Sequence, residues 1–252
     1  MTSRPARLPP RGHDPHPTGT GTGDTGTNTG TGAAADARTA PRASRTARVA
    51  RTRARILEAA RRELGRNPDC TLADIAEAAG VARRTVYGHF AGRAALVEGL
   101  TADAAEAVRL ASEAAARVPT PDAATDLARL VLTLWPTADR YRVLVNLAHQ
   151  DLDARRADEL LAPVRSTVAG ILVRGRRRGV FHTTLPPGPL TRALEAYLLS
   201  LLDTANSGGW AADGTTAATT ALIVAGVHSD LAATTVDRLH RRSPPHAPAP
   251  AA

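Results

Sequence analysis

The chain has 252 residues, of which 43% are hydrophobic and only 3% aromatic, so it can build a largely aliphatic core. It contains no lysine, which excludes P-loop, Schiff-base and Ser-x-x-Lys chemistry, and its one cysteine, Cys70, excludes an internal disulfide. No apolar stretch is long enough for a membrane span or a signal peptide, so we expect a soluble cytoplasmic protein.

The net charge of +8 is concentrated near the N-terminus. Residues 1–55 hold ten arginines against three acids, residues 56–97 hold six against five, and residues 98–252 hold sixteen against sixteen. A basic excess confined to one region is typical of proteins with an anionic partner. Residues 1–45 are rich in Pro, Gly and Thr and are predicted to be disordered, because they bury too little apolar surface to offset the entropy of ordering.

Helical periodicity follows this extension. Apolar residues recur every three or four positions over about residues 46–65, which predicts a helix. Thr71 is placed to cap a second helix, and Gly80 can supply the left-handed residue that ends it. The stretch ARRTVYGHF predicts a third helix with Val86 and Phe90 towards the core, and a fourth helix is predicted to run to about Arg117.

Five further helices are predicted beyond residue 120, and no strand, since no β-branched run alternates with period two. They are expected to span about residues 123–134, 137–150, 157–178, 190–205 and 216–240, with breaks at Pro136, Pro186 and the pair Gly208 and Gly209. Residues 241–252 are predicted to be a disordered tail. The expected fold class is therefore all-α.

The second and third predicted helices form the pattern of a helix-turn-helix, in which the second helix of the pair enters the DNA major groove. Arg83, Arg84 and Thr85 lie at the start of that helix, where guanidinium groups can donate to guanine and a threonine methyl can contact thymine. For the two arginines a solvated helix face is the alternative interpretation, and the Gly-Val turn together with Tyr87 favours DNA contact.

Three polar residues further along the chain are of types that can contact the DNA backbone. Tyr87, His89 and Arg93 lie where a hydroxyl, an imidazole and a guanidinium group can bind phosphates and fix the register. Free N–H groups at the start of the fourth helix would add to this phosphate binding.

Two stretches, TRARILEAARREL and TLADIAEAAGVARRTVYGHFAGRAALVEGL, resemble the DNA-binding domain of the tetracycline-repressor (TetR) family of bacterial transcriptional regulators. The resemblance covers about residues 51–100, where Ile-Ala-x-x-Ala-Gly-Val, Thr-Val-Tyr-x-x-Phe and Arg-Ala-x-Leu fall at the family's spacing. It implies DNA contacts by the matching positions Thr71, Arg83, Thr85, Tyr87, His89 and Arg93. Three positions depart from the family pattern: Ala82 replaces a capping serine, Gly88 lowers helix propensity, and Arg84 is large where a small residue is common.

The resemblance also implies the domain organisation. Residues 46–100 would form a three-helix DNA-binding domain, and residues 101–240 a helical bundle that binds an effector and dimerises. Trp135, Tyr141 and His149 lie in segments that would line an effector pocket, while ordinary core packing remains the alternative for each.

The predicted function is a homodimeric regulator of transcription, a repressor that a small-molecule effector releases from a palindromic operator in double-stranded DNA. We predict no metal, no cofactor and no catalytic site. A helical DNA-binding protein without an effector, packed solid in its C-terminal domain, is one alternative. A helical enzyme or carrier is the other, and the lack of a catalytic or metal-binding pattern in residues 101–240 argues against it. The N-terminal arginines 38, 42, 45, 48, 51, 53 and 55 either keep the extension soluble or contact phosphates and the minor groove.

Overall fold

Ten α-helices follow one another in the part of the chain that the structure describes. The computed structural model describes residues 33–117, 120, 122–147, 154–209 and 213–242, and within these ranges there is no strand. The helices are α1 (Ala33–Arg66), α2 (Leu72–Ala78), α3 (Arg83–His89), α4 (Arg93–Ala116), α5 (Ala123–Arg140), α6 (Val143–Leu147), α7 (Ala154–Arg177), α8 (Pro187–Asn206), α9 (Gly214–Val224) and α10 (Ser229–Arg242). The all-α fold class is confirmed. None of the described helices is long and apolar enough to cross a bilayer.

Helix α1 begins well ahead of the boundary predicted near residue 46. It starts with three consecutive alanines from Ala33, and alanine is the residue type with the highest helix propensity. The segment up to Ala47 is a unit separate from Arg48–Ala252, and the features below lie in the latter. Residues 1–32 and 243–252 lie outside the described residues, so their predicted disorder stays a prediction.

Helices α1 to α4 enclose an N-terminal hydrophobic core. Fully buried aliphatic side chains come from each of these helices: Ile56 and Leu64 from α1, Ile75 from α2, Val86 from α3, and Leu96 and Leu100 from α4. Phe90, just after α3, is also buried here, as predicted for the i, i+4 pair with Val86. Part of α6 packs into the same core, so a short segment far along the chain completes it.

The remaining helices build a second core. Its buried side chains come mainly from α5, α7, α8, α9 and α10, including Leu127, Leu172, Leu190 and Leu222. The described residues therefore form two cores, and α5 leads from the second core to residues of the first.

Two predicted helix boundaries in the C-terminal part are wrong. Pro136 lies inside α5 rather than between two helices, because a proline costs the helix one N–H donor without preventing its continuation when neighbours hold it. The segment predicted as one helix over residues 216–240 is instead α9 and α10. Gly226 separates them with a φ of 92°, and a Cβ there would lie 2.7 Å from the backbone of His182.

Candidate DNA-binding surface and effector cavity

The start of α2 is fixed by reciprocal capping. The Thr71 hydroxyl accepts from the backbone N–H of Asp74 at 3.3 Å, and the Asp74 carboxylate accepts from the backbone N–H of Thr71 at 2.7 Å. The backbone N–H of Thr71, and then its hydroxyl at 2.8 Å, donate to the Asp74 carboxylate and lower the pKa of Asp74. Thr71 is exposed, as a DNA contact requires, but the structure gives its side chain a capping role of its own.

The turn between α2 and α3 has the predicted geometry. Gly80 adopts a φ of 61°, and the N–H of Val81 donates to the carbonyl of Ala76 at 3.0 Å, which closes the turn. Arg55 of α1 donates to the carbonyl of Gly80 at 3.4 Å. Sequence reasoning gave Arg55 no structural role, because a contact over 25 positions leaves no local signal.

Helix α3 presents a cationic face. Arg83, Arg84 and Tyr87 are exposed, and Tyr87 as a residue retains 49% of its accessible surface. Within the described residues neither arginine makes a hydrogen bond or an ion pair. These two guanidinium groups therefore keep their donors for a partner outside the fold.

The other predicted contacts are less accessible. Thr85 and His89 are half-buried at the flank of α3, where the His89 ring lies 6.3 Å from that of Phe90. Arg93 donates to the carbonyl of Pro68 at 2.7 Å and to that of Cys70 at 3.3 Å, so it holds the loop before α2. The helix-turn-helix brings all seven predicted DNA-contact residues into one region, but their contacts to DNA stay predictions.

Beside the second core lies a cavity of 130 Å³. Aliphatic side chains of α5, α7 and α8 form most of its wall: Leu127, Leu130, Val131, Leu134, Leu161, Val164, Val168, Leu194, Leu198, Leu199 and Leu202. Trp135 also lines the cavity; it is buried, and its indole N–H has no acceptor in the described structure. A wall of this kind is typical of sites for apolar small molecules.

One part of the cavity wall is charged. Arg165 of α7 and Glu195 of α8 line the cavity and form an ion pair with an Nε to Oε2 distance of 2.5 Å. Arg165 also contacts Asp158 at 2.7 Å, and Arg192 contacts both Asp158 and Glu195. Hydrogen bonds from Arg165 and then from Arg192 lower the pKa of Asp158. This four-residue network was not predicted, because its partners come from two different helices.

The three predicted effector contacts do not come together. Trp135 lines the cavity as expected, but Tyr141 packs into the N-terminal core and its hydroxyl donates to Asp103 at 2.5 Å. Burial, with the hydrogen bond to Asp103, raises the pKa of Tyr141 to about 12. Tyr141 follows Trp135 by six positions, about 240° around a helix, and therefore faces another side. His149 lies outside the described residues.

The C-terminal end of α5 is bonded to α1. Arg140 forms an ion pair with Glu58 at 3.0 Å, and Arg61 donates to the backbone carbonyl of Arg140 at 2.9 Å. A hydrogen bond from Arg61, with a smaller contribution from Arg140, lowers the pKa of Glu58. One helix thus lines the cavity and ends on the first helix of the N-terminal core.

Comparison with known proteins assigns the N-terminal domain. Residues 56–100 match the family described as bacterial regulatory proteins, tetR family. No curated protein matches the sequence.

Solved structures share the overall fold. A γ-butyrolactone receptor (ArpA-like protein) is 19% identical, with a TM-score of 0.61 over 78% of this chain and 100% of its own. PfmR from Thermus thermophilus is 20% identical, with a TM-score of 0.55 over 69% of this chain and 95% of its own. LfrR from Mycobacterium smegmatis is 23% identical, with a TM-score of 0.53 over 69% and 95%. Residues 56–100 thus match a domain of the tetR family of bacterial regulatory proteins, and the chain shares the fold of these solved structures.

Proposed function

We propose that this regulator is a homodimeric repressor that binds a palindromic operator and is released when a small molecule occupies the cavity. The observation that carries the release step is the path of α5, which lines the cavity at Trp135 and is bonded to α1 at Arg140. A change in the cavity can reach the DNA-binding helices through this one element.

The proposed DNA contacts divide into two groups. Arg83, Arg84 and Thr85, at the N-terminal end of α3, would read base edges in the major groove. Thr71, Tyr87, His89 and Arg93 would bind phosphates and set the orientation, which carries no sequence information directly. The guanidinium groups of Arg83 and Arg84 support this division, because they are exposed and make no ion pair with any residue that the structure describes.

Exposed apolar side chains on the last two helices support a dimer. Ile223 and Val224 of α9 and Leu231 of α10 are among the large hydrophobic residues that remain exposed in a single chain. Two copies that bury these residues would place two α3 helices on one duplex, about 34 to 36 Å apart for successive major grooves.

Release would follow from linkage between two conformations. An effector that binds better to the conformation with wrongly spaced α3 helices shifts the population towards it, and DNA weakens effector binding by the same factor. The ion pair between Arg140 and Glu58 and the hydrogen bond between Tyr141 and Asp103 connect α5 to α1 and α4. These contacts would have to change between the two conformations.

The test is selection of bound duplexes from a random DNA pool with the full-length protein at a stated salt concentration. We expect an inverted repeat with a fixed half-site spacing. Recovery of no consensus, with binding that disappears as the salt concentration rises, would contradict sequence-specific regulation and leave only nonspecific phosphate binding. A double variant, Arg83→Ala with Arg84→Ala, is the control that should lose the consensus.

A further inference from the structure

The cavity wall contains very little that could bind a charged molecule. Among the residues described as lining it, Arg165 and Glu195 are the charged ones, and Thr191 is a polar neighbour on α8. The hydroxyl of Thr191 donates to the carbonyl of Pro187 at 2.8 Å. All other lining residues are aliphatic, alanine or Trp135. The occupant must therefore place most of its surface against hydrocarbon.

The two charged residues are already neutralised. Arg165 has a side chain only 16% exposed, and both its Nε and its Nη2 contact carboxylate oxygens, from Glu195 and Asp158. With Arg192, the cluster holds two guanidinium groups and two carboxylates, so its formal charge is zero. An anionic occupant would face Glu195 and a cationic one Arg165, and neither would recover the cost of leaving water.

The wall nevertheless retains hydrogen-bonding capacity. A guanidinium group has five N–H donors, and the described contacts of Arg165 use its Nε and Nη2 but not Nη1. The Thr191 oxygen can also still accept. One polar group on an otherwise apolar occupant can thus be satisfied beside the Arg165 and Glu195 pair.

The volume sets the scale of the occupant. A cavity of about 150 Å³ lined by aliphatic and aromatic side chains is known to bind benzene, a molecule of about six non-hydrogen atoms. The present cavity measures 130 Å³ and is partly open to solvent, so it can enclose a group of similar size while a longer chain extends towards the opening.

Resting on the proposed function, we propose that the effector is an uncharged, mostly aliphatic molecule of about six to ten non-hydrogen atoms. Its single hydrogen-bonding group lies against Arg165 and Glu195, and its hydrocarbon part packs between α5, α7 and α8. The paired guanidinium and carboxylate select against either sign of charge on the effector.

Isothermal titration calorimetry of the full-length protein with 1-octanol, octanoate and octylammonium at neutral pH tests this proposal. The three probes share one chain length and differ in charge. We expect 1-octanol to bind more tightly than either ion by about tenfold or more, because an ionised group gains no net partner in the cavity. Tighter binding of either ion, or no binding of 1-octanol, would overturn the proposal.

Two variants test the role of the charged pair. Glu195→Gln leaves Arg165 less compensated and should shift the preference towards octanoate, while Arg165→Gln should shift it towards octylammonium. A purely structural pair would lower the affinity for all three probes without these opposite shifts, and that result would remove Arg165 and Glu195 from the site.

Filling the cavity provides a location control. Leu198→Trp should abolish 1-octanol binding, whereas Leu110→Trp, at an exposed position of α4 outside the cavity, should leave it unchanged. Retained far-ultraviolet circular dichroism shows that each variant folds. If Leu198→Trp binds 1-octanol as the parent does, the molecule binds elsewhere and the proposal fails.

Operator binding by the same preparation separates this proposal from the proposed function. Binding of 1-octanol in the cavity without release of DNA would support the assigned cavity chemistry and contradict effector release. A protein that binds its operator but prefers an ionic probe would retain its regulatory function and overturn the assigned effector class.

Discussion

Arginine serves opposite purposes at the two sites of this molecule. On α3, Arg83 and Arg84 are exposed and make no ion pair within the described residues. At the cavity, Arg165 is held by Glu195 and Asp158 within 2.7 Å. Because the guanidinium group is charged at every relevant pH, only its neighbours decide what it offers to a partner. Unpaired, it favours polyanionic DNA; paired, it belongs to a wall without net charge.

Removing the exposed arginines of α3 is the most direct test of this contrast between the two sites. Arg83→Ala and Arg84→Ala should each cost about 1 to 3 kcal/mol of operator binding and relax the preference at particular base pairs, because each would remove one of the proposed base-edge contacts. Fluorescence anisotropy with the selected operator and with single-base variants of it measures both effects.

Arg109→Ala is the matched control for this experiment. Arg109 is an exposed arginine of α4 that is bonded to Glu106 and Glu113, so its removal changes the net charge without touching α3. Equal losses for Arg109→Ala and Arg83→Ala on every sequence would mean that α3 contributes only general charge.

Removing the paired arginine at the cavity should affect protein stability more than removing an exposed arginine of α3. Arg165→Met should lower the free energy of unfolding by about 1 to 3 kcal/mol, because it leaves the half-buried Glu195 carboxylate with only the longer contact to Arg192 at 3.4 Å. Arg83→Met should change it by less than about 0.5 kcal/mol, as expected for an exposed residue that makes no hydrogen bond or ion pair with the described residues. Urea denaturation measures both values. Equal stability changes in the two variants would show that the pairing at the cavity is energetically unimportant.

The difference between these arginines marks what could be predicted from the sequence. The capping of α2 depends on Thr71 and Asp74, three positions apart, and the left-handed turn depends on Gly80 alone, so local patterns predict both. The pair of Arg165 and Glu195 joins positions 30 apart on different helices, and no local pattern contains it.

The same reasoning explains the errors in the C-terminal fold. Helix α5 continues through Pro136 because Trp135 and Val131 of the same helix are buried in the second core. Their packing stabilises the helix against the break that a proline tends to cause. The break at Gly226 depends on the backbone of His182, which lies far away in the sequence. Tyr141 lies in the N-terminal core rather than at the cavity, because the segment that carries a residue does not determine which core its side chain enters.

A substitution at the N-cap of α3 can separate the effect of helix stability on DNA binding from the effect of the charge on α3. Ala82 has the extended backbone of an N-cap but makes no side-chain hydrogen bond, so Ala82→Ser should add about 1 kcal/mol to the free energy of unfolding. Since it leaves Arg83 and Arg84 in place, we expect operator affinity to change little. Urea denaturation and anisotropy report the two quantities. A large gain in affinity would mean that disorder of α3, rather than its charge, limits DNA binding.

The smaller of the two expected gains in stability comes from Gly88, which lies one helical turn after Arg84 on the exposed face of α3. A Cβ there meets no atom within 4 Å, so Gly88→Ala should raise the free energy of unfolding by about 0.5 to 1 kcal/mol through helix propensity alone. If this face approaches the duplex as closely as the arginines require, the added methyl group should nevertheless weaken operator binding.

For Gly88→Ala, the directions of the stability change and of the affinity change are informative together, because the free protein has room for the methyl group. A loss of affinity together with a gain in stability can come only from the bound state, and it would place the face carrying Arg84 against DNA. Unchanged affinity would mean that the duplex does not closely approach Gly88, and that Arg84 reaches DNA by the length of its side chain rather than by close docking of α3.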